Sequence, residues 1–451
     1  MNSDSEQVCP AAIERSPLRA TVVGCGTIGA AIGAALASRG LNVTLYDNDP
    51  VCREALAGNP PLFAEPDMAQ AVLAARTAMR LRVVDHLERQ PFPTHYIVCT
   101  PTPVTTTGEF DASAIDSAVA AIIDVAQPDD AIFIRSTVPI GTTRRLAART
   151  ESRGLDLRLA FTPDRSIGGC TFADQFSVPQ LIGGVDGRAA ARAVALFAPL
   201  GQVIDLGGAE AAEAAKLFAN TWRATMFAAA NALAMVCETQ GLDVHAIFAA
   251  TGANYPRFSP HRPGPVGGAC LPKDVRLLAA NIPPDVGALL HGVSQSETQL
   301  IALVATALDA HLATRKAPAR IAIAGFAFKG QPAVDDARGS AALALAEGLR
   351  ARWPDAVLVG WDATMSASHI EAAALIPQAS LHAAVNGADL AVFGNNHPVL
   401  AQTDLDGLAL VAAPGALFYD LYGVTVPYRP TLPNGVRHHI FGRGEPGERQ
   451  R

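Results

Sequence analysis

Ala20-Thr21-Val22-Val23-Gly24-Cys25-Gly26-Thr27-Ile28-Gly29, near the start of a 451-residue chain, decides the fold. A short β-branched run meets three glycines spaced Gly-x-Gly-x-x-Gly, and an Ala-rich helical segment continues to Arg39. Asn42 to Tyr46 reads as the next strand. Strand, turn, helix and strand within about thirty residues form the unit that builds a parallel sheet. The glycines permit a tight turn, close backbone approach to a pyrophosphate and tight helix–strand packing, with the phosphates at the helix N-terminus. Gly24, Gly26, Thr27, Ile28 and Gly29 are therefore candidate dinucleotide contacts. Asp47 ends the second strand, where its carboxylate can accept from a ribose diol and would repel a 2′-phosphate, so NAD is favoured over NADP.

Further strands are expected at His95 to Cys99, Ala131 to Arg135, Leu157 to Phe161 and Gln180 to Gly183. Beyond Gly207-Gly208, Ala209 to Gln240 contains neither Gly nor Pro and predicts one helix of roughly 45 to 50 Å. A Pro/Gly-rich stretch from Pro256 to Gly268 and a helix from Val293 to Leu312 follow. A second strand–turn–helix–strand pattern begins at Arg320, with a helix over Ala341 to Arg352 and a strand over Ala356 to Trp361, but its turn lacks the three glycines. The fold class is α/β: two Rossmann-like domains, each a parallel sheet flanked by helices, joined by a central long-helix domain. The expected segments are a disordered leader (1–18), a nucleotide domain (19–205), a helical domain (206–315), a second Rossmann-like domain (316–440) and a disordered tail (441–451).

Thirty-five Lys+Arg against 42 Asp+Glu give a net charge of −7, which argues against a nucleic-acid partner or an anionic membrane surface. No apolar stretch has the length of a membrane span, and Met1 to Arg19 lacks the apolar core of a signal peptide. Seven scattered cysteines without a CxxC pair argue against a disulfide framework and a zinc knuckle, so no metal is expected and a cytoplasmic location fits best.

Three more features bear on chemistry. Thr100-Pro101-Thr102 and Ser136-Thr137 each follow a strand at its carboxyl edge, where open α/β sheets bind ligands; they are either rigid loops or the floor of a cofactor site. Lys216, Asn220 and Asn231 share a stripe about 60° wide on the long helix, so they are either solvated or aimed at a ligand. Cys270 precedes Leu271-Pro272-Lys273-Asp274, with Pro272 suited to a first helical turn. It is either a buried loop cysteine or a nucleophile whose pKa is depressed by the helix N-terminus and nearby cations.

Taken together, Gly24-x-Gly26-x-x-Gly29, Cys99-Thr-Pro-Thr-Pro103, Ser136-Thr-Val-Pro-x-Gly-Thr142, Glu213-x-x-Lys216-x-x-x-Asn220, Gly264-Pro-Val-Gly-Gly-x-Cys270-Leu-Pro-Lys-Asp274 and Phe328-Lys329 to Asp336-x-Arg338-x-Ser340 resemble the UDP-glucose/GDP-mannose dehydrogenase family over about residues 20–425. The resemblance implies four-electron oxidation of a nucleotide sugar at C6, with two NAD reduced and Cys270 passing through a thiohemiacetal and a thioester. It gives Lys216 and Asn220 to an oxyanion and Asp274 to water. Asp164 and Thr137 complete the implied catalytic set. Lys273, with Thr100, Pro101, Thr102, Ser136 and Thr137, joins the NAD contacts. Arg165, Arg257, Gly267, Phe328, Lys329 and Arg338 join Lys216 and Asn220 in binding the nucleotide sugar, and the long helix forms a homodimer.

Several positions depart from that pattern. Asp164 stands where Glu is common, so thioester hydrolysis is expected to limit turnover; Ala232, Ala269 and Gly339 also replace more usual residues. The Asp164-Arg165 pair, Asn254-Tyr-Pro-Arg257 and Asn396-His397-Pro398 resemble the branch acting on UDP-N-acetylhexosamines. Alternative readings are a two-electron β-hydroxyacid dehydrogenase, which needs no Cys270, and a non-catalytic nucleotide-sugar-binding protein, which needs none of the catalytic set.

Overall fold

The computed structural model describes residues 18–444 apart from 59, 60, 62, 64, 106, 107, 281, 313–317 and 426. These residues pack as two compact units. The first comprises the chain to Pro101 with Ala112–Ser166 and Thr171–Glu213; the second comprises Thr102–Asp111, Ile167–Cys170 and everything from Ala214.

In the first unit the elements run β1 (Arg19–Val23), α1 (Thr27–Ser38), β2 (Asn42–Tyr46), α2 (Pro50–Ala57), α3 (Pro66–Thr77), β3 (Leu81–Val84), β4 (His95–Val98), α4 (Ser113–Val125), β5 (Ala131–Ile134), α5 (Thr142–Glu151), β6 (Arg158–Phe161), α6 (Thr171–Ser177), β7 (Gln180–Gly184), α7 (Gly187–Phe197) and β8 (Val203–Asp205). They form one eight-stranded sheet, ordered β3-β2-β1-β4-β5-β6-β7-β8. Pairing is parallel except between β6 and β7. Strands β4, β5 and β6 are buried at every residue, as both faces of a covered parallel sheet require. The order reverses between β1 and β4, and the crevice beyond their carboxyl ends is the position at which such sheets bind ligands.

The second unit contains α8 (Ala209–Gln240, whose first turn belongs to the first unit), α9 (Val244–Gly252), α10 (Leu271–Ala279), α11 (Ala288–Leu312), β9 (Arg320–Ala324), α12 (Ala341–Arg352), β10 (Val357–Trp361), α13 (Ala367–Ala372), β11 (Ile376–Pro377), α14 (Leu381–Val385), β12 (Leu390–Phe393), α15 (Pro398–Ala401), α16 (Leu405–Val411), β13 (Leu417–Asp420) and β14 (Arg437–Ile440). Its six strands are ordered β11-β10-β9-β12-β13-β14, all parallel. The sequence suggested a boundary near 315, yet the helices and this sheet share a core: Ala234 and Cys237 of α8 and Leu300 and Val304 of α11 pack with Ile321, Ile323 and Leu345. The α11 helix also starts five residues before the expected Val293.

The expected leader lies outside the described residues except for Leu18. Of the expected tail, the described part is ordered. Phe441 is buried, Arg443 pairs with Asp243 at 2.6 Å, and the Gly444 amide donates to the Leu242 carbonyl. No described helix is long and apolar enough to cross a membrane.

Candidate active site

The first unit supplies a dinucleotide cradle. Gly24 has φ +93°, and a Cβ there would lie 2.6 Å from the Cys99 carbonyl oxygen, so only glycine lets the β1 turn pass the end of β4. A Cβ on Gly29 would overlap the Gly24 carbonyl, which explains the third glycine. Gly26 faces open space, with nothing within 4 Å of an added Cβ. It is the N-cap residue of α1, and no side chain caps that helix. Gly26 and Thr27 are exposed and Ile28 is half-buried, so the first amides of α1 meet the requirement of a pyrophosphate.

Asp47 is buried at the end of β2, and its carboxylate accepts from the Cys25 amide at 2.6 Å and the Asp49 amide at 2.9 Å. The residue expected to meet the ribose is thus oriented by the glycine turn itself. Beyond β4 and its neighbour β5, the Ser136 hydroxyl donates to the Thr100 carbonyl at 2.8 Å, tying the two expected floor segments together. Thr137, next along, is half-buried. Pro101 ends the first unit's share of its segment, and Thr102 belongs to the second.

Asp164 is 8% exposed and engaged on both oxygens. Oδ1 accepts from Arg135 at 3.2 Å and from the Gln175 amide at 3.1 Å; Oδ2 accepts from the Ser166 hydroxyl at 2.6 Å. Arg135 is 3% exposed and also donates to Gln175 and to the Thr162 carbonyl. Asp164 is therefore the counter-ion of a buried guanidinium that no sequence motif singles out. Arg165 is half-buried and donates to the Pro179 carbonyl at 3.3 Å.

The second unit brings together the polar residues of α8 and α10. Asn220 donates to Asp274 Oδ2 at 2.6 Å, and Lys273 Nζ lies 3.0 Å from Asp274 Oδ1 and donates to the Thr102 hydroxyl at 3.3 Å. Asp274 is 1% exposed, so its charge is carried by these partners. Lys216, one turn before Asn220, is half-buried. The Asn231 side chain is buried and clasps Gly264 at both backbone atoms, donating to its carbonyl at 3.0 Å and accepting from its amide at 2.8 Å. Of the stripe's two readings, Asn231 takes neither: it holds the start of the cysteine loop.

Cys270 is exposed at the N-cap position of α10, with Pro272 in the first turn. Burial pushes the Cys99 thiol up to about 12 and also raises those of Cys25 and Cys237, which keeps them protonated. A Cβ on Gly267 would lie 2.9 Å from both the Phe328 Cβ and the Gly339 carbonyl oxygen, so the cysteine loop lies against the Phe328 segment. Gly339 itself has φ +64°. Arg338 is held charged mainly by its hydrogen bonds to Asp336, with a smaller contribution from Cys270, which places that guanidinium within electrostatic reach of the sulfur. Lys329 donates to the Gly168 carbonyl at 2.7 Å, and Arg257 is exposed on the loop after α9.

Residues 18–201 match the NAD-binding domain, and residues 210–303 the central domain, of the UDP-glucose/GDP-mannose dehydrogenase family. The chain belongs to that family and is an NAD-dependent nucleotide-sugar dehydrogenase. It is 29% identical over 402 residues to a UDP-N-acetyl-D-mannosamine dehydrogenase of Pyrococcus horikoshii, covering 87% of this chain and 92% of the relative. An NDP-N-acetyl-D-galactosaminuronic acid dehydrogenase of Ralstonia nicotianae is 27% identical over 409 residues, covering 86% and 93%. The solved structure of a P. horikoshii UDP-D-ManNAc dehydrogenase superposes with a TM-score of 0.85 at 27% identity, covering 95% of this chain and all of that one.

Proposed function

We propose that this enzyme oxidises the C6 primary alcohol of a UDP-N-acetylhexosamine to the uronic acid, in the cytoplasm, through a covalent intermediate on Cys270. The observation that carries this reading is the placement of Cys270: an exposed sulfur at the N-terminus of α10, four residues before a buried Asp274 that is bound to Asn220. Both UDP-N-acetyl-D-mannosamine and NDP-N-acetylgalactosaminuronate appear in the names of relatives that span most of this chain, which supports the sugar class.

Gly24, Gly26, Thr27, Ile28, Gly29, Asp47, Thr100, Pro101, Thr102, Ser136, Thr137 and Lys273 would hold NAD, which when bound would accept the hydride lost from C6 at the alcohol and again at the thiohemiacetal, the hydroxyl proton passing to solvent. Cys270 attacks the intermediate aldehyde carbon, and the carbonyl π pair moves to oxygen. Lys216 and Asn220 stabilise that oxyanion by charge and by an amide donor. Loss of the second hydride leaves a thioester. Asp274 orients the water that adds to it, and the Cys270 thiolate departs as the carboxylate forms. Thr137 and Asp164 complete the proposed catalytic set. Arg165, Arg257, Gly267, Phe328, Lys329 and Arg338 contact the nucleotide sugar, the cations offsetting its diphosphate.

The working unit proposed is a homodimer through α8. Phe218, Trp222, Leu233 and Val236 are 57%, 67%, 45% and 54% exposed. At about 100° per residue they fall within a stripe about 60° wide. An apolar ridge of that kind on a 32-residue helix fits a second copy of itself.

The test is a panel of UDP- and GDP-sugars assayed for NADH and, in parallel, NADPH. Two NADH per UDP-N-acetylhexosamine, with kcat/KM favouring NAD, is expected. One NADH per sugar, or turnover confined to GDP-sugars, contradicts the proposal.

A further inference from the structure

Glu213 is a carboxylate with 0% exposure in an Ala-rich helix, one turn before Lys216. Its Oε2 accepts from the Gly141 amide at 2.6 Å; its Oε1 accepts from the Thr143 amide and the Thr143 hydroxyl, both at 2.7 Å. Gly141 and Thr143 form the N-terminus of α5, whose own N-cap residue offers no side-chain oxygen. The cap that a Ser or Asp would normally supply locally comes here from the first turn of another helix. Close by, Arg144 of α5 pairs with Glu210 of α8 at the surface. An exposed pair adds little, so the three hydrogen bonds to the buried Glu213 carboxylate carry the cap. Burial raises the Glu213 pKa, and the donors from Thr143 and Gly141 oppose that shift.

The segment so held is the connection from β5 to α5. Its first end is fixed where the Ser136 hydroxyl meets the Thr100 carbonyl, and Val138 is fully buried. Between these two buried residues, Thr137 is the side chain left partly open. A loop fixed at its start by Ser136 and at its end by Glu213 has little freedom to move that hydroxyl.

We propose that Glu213 is a positioning residue for hydride transfer: by capping α5 it holds the Thr137 loop, and so the reacting end of NAD, in the productive geometry. The inference rests on the NAD site being where the glycine cradle and Ser136-Thr137 put it, and not on which sugar is oxidised. Glu213→Gln keeps the size but sets an amide NH2 against either Gly141 or Thr143, both of which present donors. Thr143→Val removes one donor and leaves the backbone cap.

The experiment measures kcat, NAD affinity and the primary deuterium isotope effect with a C6-dideuterated nucleotide sugar. The sugar is whichever UDP- or GDP-sugar the parental enzyme oxidises fastest, so this role and the substrate assignment fail separately. Misplacement by a fraction of an ångström should lower kcat of Glu213→Gln roughly tenfold or more. The isotope effect should rise as hydride transfer becomes more rate-limiting, with NAD affinity nearly unchanged, and Thr143→Val should move the same way to a smaller extent. A parental kcat and isotope effect in both variants, whatever their melting temperatures, would reduce Glu213 to a structural cap and overturn the proposal. If Glu213→Gln does not fold, a parental isotope effect in Thr143→Val overturns it alone.

Discussion

The Asn220 side chain on α8 donates a 2.6 Å hydrogen bond to the Asp274 carboxylate on α10, joining the long helix to the helix that begins at Cys270. One amide hydrogen and the orientation of the whole amide are thereby set by a buried anion. Preorganisation of this kind is what an oxyanion donor requires. Asn220→Ala should lower kcat by about 10²- to 10³-fold. It also leaves Asp274 short of a partner, at a stability cost of about 1–3 kcal/mol. Steady-state kinetics beside urea unfolding separate the two effects, and a kcat within a few-fold of parental would remove Asn220 from the oxyanion site.

Asp164 and Arg135 form a buried pair, so removing the carboxylate strands a charge. Asp164→Ala should destabilise the first unit by about 3–5 kcal/mol. The short, fully engaged carboxylate also fits slow thioester hydrolysis in the parental enzyme, seen as a presteady-state burst of NADH. A linear onset of NADH would show that hydrolysis is not limiting.

The α8 ridge predicts an oligomer sensitive to charge. Trp222→Glu should shift the proposed dimer to monomer in sedimentation equilibrium, because the partner ridge would have to desolvate the new carboxylate. A parental species that sediments as a monomer at micromolar concentration contradicts the assignment.

His438 sits buried in β14, hydrogen-bonded to the Thr425 hydroxyl at 2.8 Å, and burial lowers its pKa from 6.5 to about 4. The fold keeps it neutral, whereas the unfolded chain takes up a proton below about pH 6.5. Its contribution is complete above that pH and is lost as pH falls toward 4, on the order of 3 kcal/mol. Unfolding free energy measured between pH 7 and 4 should fall less steeply in His438→Gln; identical slopes would show that another group governs acid stability.

Much of this architecture is legible in the residues. The α8 limits, Ala209 and Gln240, follow from a run without Gly or Pro between glycines at 207–208 and 241, and β2 matches its β-branched run at both ends. Other elements leave weak local signals. Strand β3 is four residues at a sheet edge with only Leu81 buried, and β14, Arg-His-His-Ile, reads as polar because its pairing with β13 lies far away in sequence. The partners of Arg135 lie 27 to 45 residues off, so its strand-end position carries no hint of a buried ion pair. Whether Asn231 met solvent or ligand could not be decided by helical phase alone; it required the position of Gly264. Glu213 was visible as a motif member, but its partners at Gly141 and Thr143 were not, since a cap supplied from another helix has no fixed spacing.

The central claim is that Cys270 is the covalent nucleophile, and the direct measurement is uronic acid and NADH formed per nucleotide sugar by Cys270→Ala. An exposed cysteine shortened to alanine should cost no more than about 1 kcal/mol, so the variant should fold and bind NAD and sugar. It is expected to make almost no uronic acid, while Cys25→Ala and Cys237→Ala remain active. Two NADH per sugar from Cys270→Ala at near the parental rate would contradict the thioester mechanism.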